Sequence, residues 1–170
     1  MKILNLIFLL ILISINYVET VASSDISEIN KVVDNYCAAI HSQNKNDFKS
    51  IFSQTKKCSL VSVSKVFEGL NSMYADFVLG LQKLYARIDL IKDEDLQINF
   101  INDEFAIVIF KYHTECIMRE SGELGGIKGV ETQVMIKEDG NWKIVHIHYS
   151  SNKQFTSRND IFLHYLDLVL

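Results

Sequence analysis

The stretch Asp139-Gly140-Asn141-Trp142-Lys143-Ile144-Val145-His146-Ile147-His148-Tyr149-Ser150 decides the fold. Asp-Gly between two alternating segments is a strong hairpin signal, because a type I′ turn needs positive φ at both central residues. Beyond the turn, strand alternation sends Val145, Ile147 and Tyr149 to one face, and Trp142, Ile144, His146 and His148 to the other. Before the turn, Ile127 to Lys137 alternates in the same way. Glu131, Gln133 and Met135 point one way; Val130, Thr132, Val134 and Ile136 point the other. Further upstream, Phe105 to Met118 and Asp89 to Ile101 read as two more strands, punctuated by Asn102-Asp103 and by Gly122 to Gly126. The second half of the chain is thus a meander of long antiparallel strands.

The first half has helical period. Ile26, Ile29, Val33, Tyr36, Cys37 and Ile40 recur on one face, with Ser24 or Asp25 able to cap the start and Glu28 in the first turn. Ser42 to Asn46 is a polar break. Asp47 to Phe52 reads as a short second helix, and Cys58 to Val63 as a short β-branched strand. A third helix carries Val66, Leu70, Met73, Tyr74, Phe77, Leu81, Leu84 and Tyr85 on one broad face. Three helices followed by a bent antiparallel sheet make an α+β fold with the helices packed on one sheet face.

Composition bounds the rest. The chain has 170 residues, 48% of them hydrophobic and 22% charged, with a formal net charge of -4 and no proline. That supplies one real core, and turns must rest on Gly, Asn, Asp and Ser. Without a basic run a nucleic-acid partner is not expected, since phosphate neutralisation needs clustered Lys and Arg. Residues 1–24 read as an export signal. Lys2 precedes an apolar run from Ile3 to Ile15, and Val21-Ala22-Ser23-Ser24 offers a cleavage site. The run falls short of the roughly 20 residues that span a bilayer. The expectation is an exported protein (secreted or periplasmic), with membrane contact only through that signal. The domain is expected over 25–150, with a tail at 151–170 that is polar first and then apolar from Ile161 to Leu170. The tail either docks on the domain as a short helix or binds a partner. Cys37, Cys58 and Cys116 fit no zinc spacing, and a Cys58–Cys116 disulfide is possible.

Three segments together resemble a known family. Val130-Glu131-Thr132-Gln133-Val134 and the Asp139–Ser150 hairpin resemble the last hairpin of SnoaL-like domains of the nuclear-transport-factor-2-like superfamily. Their motif is nearest to the association (hub) domain of calcium/calmodulin-dependent protein kinase II. Phe67-Glu68-Gly69-Leu70 resembles that domain's helix before the sheet, and Tyr36 to Ile40 is similar to the opening helix of ketosteroid isomerases. The resemblance runs from about Ile26 to Ser150. It implies a cone-shaped, cystatin-like arrangement in which helices close one end of a curved sheet. By this likeness Glu131, Gln133, Tyr149, Tyr112 and Thr114 face a pocket, and Met73 stands where the family often has a pocket histidine. Tyr112, Gln133 and Tyr149 replace the hub's pocket arginines, which puts a small carboxylate ligand in doubt. Tyr36 matches the isomerases' oxyanion-hole tyrosine, but the segment Cys58 to Ser62 lacks their base.

Glu131 is the one carboxylate on the expected pocket face of the last two strands. In an apolar cone it can act as a base, with Tyr36, Tyr112 or Tyr149 donating hydrogen bonds. It can equally be a structural acid. His146 and His148 share a face, and His113 has the parity to join them; such a set can hold Zn²⁺, but outer-face packing is the simpler reading. Gly125-Gly126 lacks a following Lys-Ser/Thr and is a turn. No cofactor and no metal are expected. The leading expectation is a ligand-binding or oligomerisation domain, homodimeric or larger, holding a small apolar or cyclic ligand. The rivals are an acid–base isomerase, cyclase or dehydratase using Glu131, and a partner-binding protein acting through its tail.

Overall fold

A computed structural model describes residues 23–62 and 65–152. The export signal expected over 1–24 and the apolar tail after Ser150 lie almost wholly outside those residues. Helix α1 runs over 23–42 and α2 over Lys45–Ser50. Strands β1 (Ser59–Val61) and β2 (Val66–Glu68) follow. Helix α3 (70–84) comes next, then β3 (Tyr85–Lys92), β4 (Gln97–Asn102), β5 (Phe105–Met118), β6 (Leu124–Gly125), β7 (Lys128–Glu138) and β8 (Asn141–Asn152). The result is an α+β fold with an eight-stranded curved sheet in the order β2-β1-β8-β7-β5-β3, and with β4 and β6 also paired to β5.

The hairpin forms as its sequence dictates. Asp139 (φ 51°) and Gly140 (φ 78°) occupy the two positive-φ positions, and β7 pairs antiparallel with β8 from Glu138↔Asn141 to Lys128↔Asn152. Strict alternation fails at one point. The register shifts between Val134 and Met135, so Val134 faces His146 while Met135 faces Ile144. Val145 is the extra residue of a β-bulge, which resets the parity. Trp142 and Ile144 are therefore buried in the core with Ile147 and Tyr149, on the face opposite half-buried His146 and exposed His148.

Other expectations need correction. Val66 to Glu68 is a strand rather than helix: it pairs antiparallel with β1, burying Phe67 and exposing Val66. Gly69, at φ 79°, breaks the chain direction before α3 begins. Tyr85 starts β3 instead of ending the helix. The single strand expected over Asp89 to Ile101 is two, because the acidic run Asp93-Glu94-Asp95 cannot enter a half-buried sheet. β3 then pairs with Tyr112–Met118 of β5, and β4 with Phe105–Ile109. The sheet is not purely antiparallel, since β1 lies parallel to β8. Cys37, Cys58 and Cys116 are free thiols, so the Cys58–Cys116 disulfide does not form.

Helix α1 buries Ile29, Val32, Val33, Tyr36, Ala39 and Ile40 against the sheet, while Ile26, at the edge of that stripe, stays exposed. Asp25 does not cap it. Its carboxylate instead accepts from Trp142 Nε1 at 3.1 Å and pairs with Lys137 at 2.6 Å, while Glu28 accepts the Trp142 backbone N–H at 2.9 Å. The first helix is thereby fastened to the hairpin that closes the sheet. Asn44 caps α2 by accepting from Asn46 and Asp47 N–H groups. In α3, Met73–Val78 is π-helical between short α-helical turns. π-segments are uncommon and concentrate at functional sites.

Candidate functional site

Strand parity and one helix stripe bring the candidates together. On β5, Ala106, Val108, Phe110 and Tyr112 are buried on the inner face; on β7, Glu131, Gln133 and Met135; on β8, Ile147 and Tyr149. Glu131 lies directly between Phe110 and Tyr149 in the ladder. Tyr36 sits at the centre of the buried stripe of α1 and meets the sheet there: its hydroxyl hydrogen-bonds that of Tyr149. Met73 and Phe77 come from the π-helical turn, with the Phe77 ring 5.9 Å from that of Tyr149. The Tyr112 and Tyr149 rings meet edge to face at 5.6 Å. Tyr112 lies over Gly129, where a Cβ would come within 2.9 Å of its hydroxyl.

The polar atoms of this cluster are only part-paired. Gln133 Nε2 donates to Glu131 Oε1 at 2.6 Å. Glu131 Oε2, Gln133 Oε1 and Tyr112 Oη are buried with no partner. Among the described residues no Lys, Arg or His forms an ion pair with Glu131. Burial pushes its carboxyl up from 4.5 to about 8, against the smaller lowering effect of the Gln133 hydrogen bond. At neutral pH the group therefore keeps its proton. Burial also raises the Tyr112 hydroxyl, with a further push from Glu131, and raises that of Tyr149.

Five of the seven singled-out residues are buried on the inner face, as two hydrogen-bonded pairs, Tyr36–Tyr149 and Gln133–Glu131, and the unpartnered Tyr112 hydroxyl. Met73 packs in the same core as an apolar neighbour. Thr114 is spent elsewhere, its hydroxyl accepting the Ile127 N–H at 3.0 Å and so holding the turn before β7. Cys37, which helical spacing places only on the α1 stripe, lies close enough to feel Glu131: burial first, and that carboxylate second, push its thiol up to about 12. Its position one residue after Tyr36 was the available signal. Phe77 carried no signal beyond helical spacing.

The histidines do not converge. His146 pairs with Val134 in the ladder and His148 with Thr132, but His113 sits opposite Lys128. Six residues of β7 separate the His113 and His146 positions, roughly 20 Å at strand rise. His146 Nδ1 is bonded to Ser59 Oγ at 2.8 Å, and His113 pairs with Asp93. No group of three metal-ligating side chains is present among the described residues.

The architecture and this inner face can be set beside known proteins. A family model described as SnoaL-like domain matches residues 29–153. A nuclear transport factor 2 (NTF2-like) superfamily protein from Salmonella enterica superposes with a TM-score of 0.73 at 23% identity, covering 82% of this chain and 98% of that one. The hexachlorocyclohexane dehydrochlorinase LinA-type3 from Novosphingobium barchaimii gives 0.71 at 14%, covering 84% and 95%. A protein assigned as a calcium/calmodulin-dependent protein kinase II association domain, from Xanthomonas campestris, gives 0.62 at 19%, covering 75% and 87%. No curated protein is similar enough in sequence to be matched.

Proposed function

The chain belongs to the SnoaL-like domain family, and on that premise we propose that it is a ligand-binding domain holding one small apolar or cyclic molecule by a polar edge. The observation that carries this reading is the trio of orphaned atoms, Glu131 Oε2, Gln133 Oε1 and Tyr112 Oη, grouped on one sheet face under aromatic rings. Each buried polar atom left unpaired costs about 1–3 kcal/mol. Three together on one face are a cost the fold bears where a ligand completes the bonds. Binding is favoured over turnover because Glu131 is protonated at neutral pH and Met73 stands on the helix where a histidine would add a second acid–base group.

The test is a thermal-shift screen with cyclic alcohols, ketones and amines, followed by calorimetry on hits. A hit that binds wild type, loses at least tenfold in affinity in Glu131→Gln or Tyr112→Phe, and is recovered chemically unchanged supports the reading. Recovery of a transformed molecule would replace it with the acid–base reading, which the raised Glu131 carboxyl supports. In that case the rate should climb as Glu131 ionises near pH 8 and vanish in Glu131→Gln.

The same proposal extends to context. The outer face of β5 and β7 carries Ile107, Ile109, Val130, Val134 and Ile136, all half-buried in the single chain. A contiguous apolar sheet face of this kind supports a homodimer formed through it. The short positive and apolar start of the chain supports export.

A further inference from the structure

We propose that self-association through the outer sheet face is gated by His146 and His148: a second copy of this chain seats there while both imidazoles are neutral and leaves when they take up protons. The inference rests on the outer-face dimer proposed above and adds its regulation. Ladder register puts the two histidines inside the apolar face, not at its rim. One row across the sheet runs Val66, Val61, His148, Thr132, Ile109, and the next runs Glu68, Ser59, His146, Val134, Ile107. Apolar side chains thus stand on both sides of the pair, and Val66, at the far end, is 59% exposed. A partner that covers this strip covers the imidazoles with it. The occupant is a second copy because the face complements itself in charge. The outer positions of β7 read Lys128, Val130, Thr132, Val134, Ile136 and Glu138. A cation and a carboxylate thus stand roughly 33 Å apart at strand rise, with uncharged side chains between them. A copy turned end for end sets each positive end against the other's negative end.

The gate follows from what surrounds the pair. From β1, Ser59 Oγ meets His146 Nδ1 at 2.8 Å, and Val61 stands beside His148. From β7 the neighbours are Val134 and Thr132. Glu68 on β2 lies beyond Ser59 and is held by Lys57 at 2.6 Å. On β8, Lys143 donates to the Ser50 carbonyl at 2.7 Å. On β5, Lys111 is paired with Glu94 at 2.9 Å and His113 with Asp93. Among the described residues no carboxylate pairs with His146 or His148. Protonation therefore sets two neighbouring positive charges, without counter-ions, on a surface that association strips of water. His146 already resists its proton: burial first, and His148 second, hold it below the usual histidine value. Covering it deepens the first effect. The free chain then binds more protons than the dimer once pH falls to about 6.5 and below, so association weakens with acidity. Glu138 does not share in this change, because its hydrogen bond from Ser53 holds its carboxyl below the ordinary 4.5.

The experiment measures the dimer dissociation constant of the full chain by analytical ultracentrifugation from pH 7.5 to pH 5.5, with circular dichroism at each pH to follow the fold. Wild type is expected to be dimeric at pH 7.5 and to weaken by at least about tenfold by pH 5.5 while staying folded. The double variant His146→Gln, His148→Gln should keep its dissociation constant within about threefold over the same range. His113→Gln, which removes the histidine that has an acid partner, should weaken with acidity as wild type does. A wild-type dimer indifferent to pH would overturn the gate and leave the outer-face dimer standing; a wild type monomeric at pH 7.5 would overturn both. Acid weakening that persists in the double variant would overturn the assignment to these two histidines. Unfolding ahead of dissociation would do the same, since the gate releases folded monomers. The wild-type pH series needs no variant, so a misfolded double variant does not remove the test.

Discussion

Glu131 shows how far a single residue's chemistry depends on its surroundings. In an unfolded chain its carboxyl loses its proton near 4.5; in the fold it holds it to about 8, because burial penalises the charge. Between those values the native state binds more protons than the unfolded state, so this residue makes stability fall as pH rises, and the loss levels off above the folded value. Glu131→Gln removes the effect while keeping the shape. The variant should match wild type near pH 4.5 and exceed it by a few kcal/mol at pH 8, read from urea midpoints at both pH values. A gap that does not widen with pH would show that the carboxyl is not held protonated. Tyr36 is the complementary case: its place at the middle of the α1 stripe was legible from spacing, but its partner, the Tyr149 hydroxyl, lies 113 positions away in sequence and was not.

At the scale of elements, the β7–β8 hairpin organises the rest. Its turn was legible because Asp-Gly has few alternatives to a type I′ geometry. Gly140 sits at φ 78°, so Gly140→Ala should cost about 1 kcal/mol through left-handed strain alone, measured by chemical denaturation. The bulge at Val145 was not legible, since nothing in an alternating run announces an extra residue. It is settled by what Trp142 gains by turning inward: burial, Asp25 as acceptor for its ring N–H, and Glu28 for its backbone N–H. Trp142→Ala should therefore be among the most damaging substitutions, at about 3–5 kcal/mol, and a thermal scan would show it. The β2 and β3 boundaries were missed for a related reason. Short segments such as Val66-Phe67-Glu68 fit either period, and pairing with β1 decides between them.

For the whole molecule, the sheet's two faces divide the work. The inner face is sealed by α1 and α3 and carries the polar cluster; the outer face presents a half-buried apolar strip. A dimer through that strip predicts that Val134→Lys converts the assembly to monomer, seen by light scattering, while leaving the inner site able to bind. If wild type is already monomeric at high concentration, the outer-face proposal falls without touching the site.

Local pattern alone determined the class of this protein. Period-2 alternation after a period-3.6 first half, an Asp-Gly turn and the hairpin motif are short-range features, and each specifies its element through backbone sterics and the side a side chain takes. Parity put Glu131 and Gln133 on one face of their strand; that this face looks inward, and that Tyr112 shares it, was what the resemblance to the hub domain implied. Tertiary structure decided the rest. Only the pairing of β5, β7 and β8 shows that His113 is about six strand residues from His146, and only the closure of α1 over the sheet leaves Glu131, Gln133 and Tyr112 buried with unpartnered polar atoms. Burial and unmet hydrogen bonds are properties of a packed assembly; no window of sequence contains the atoms that withdraw the water.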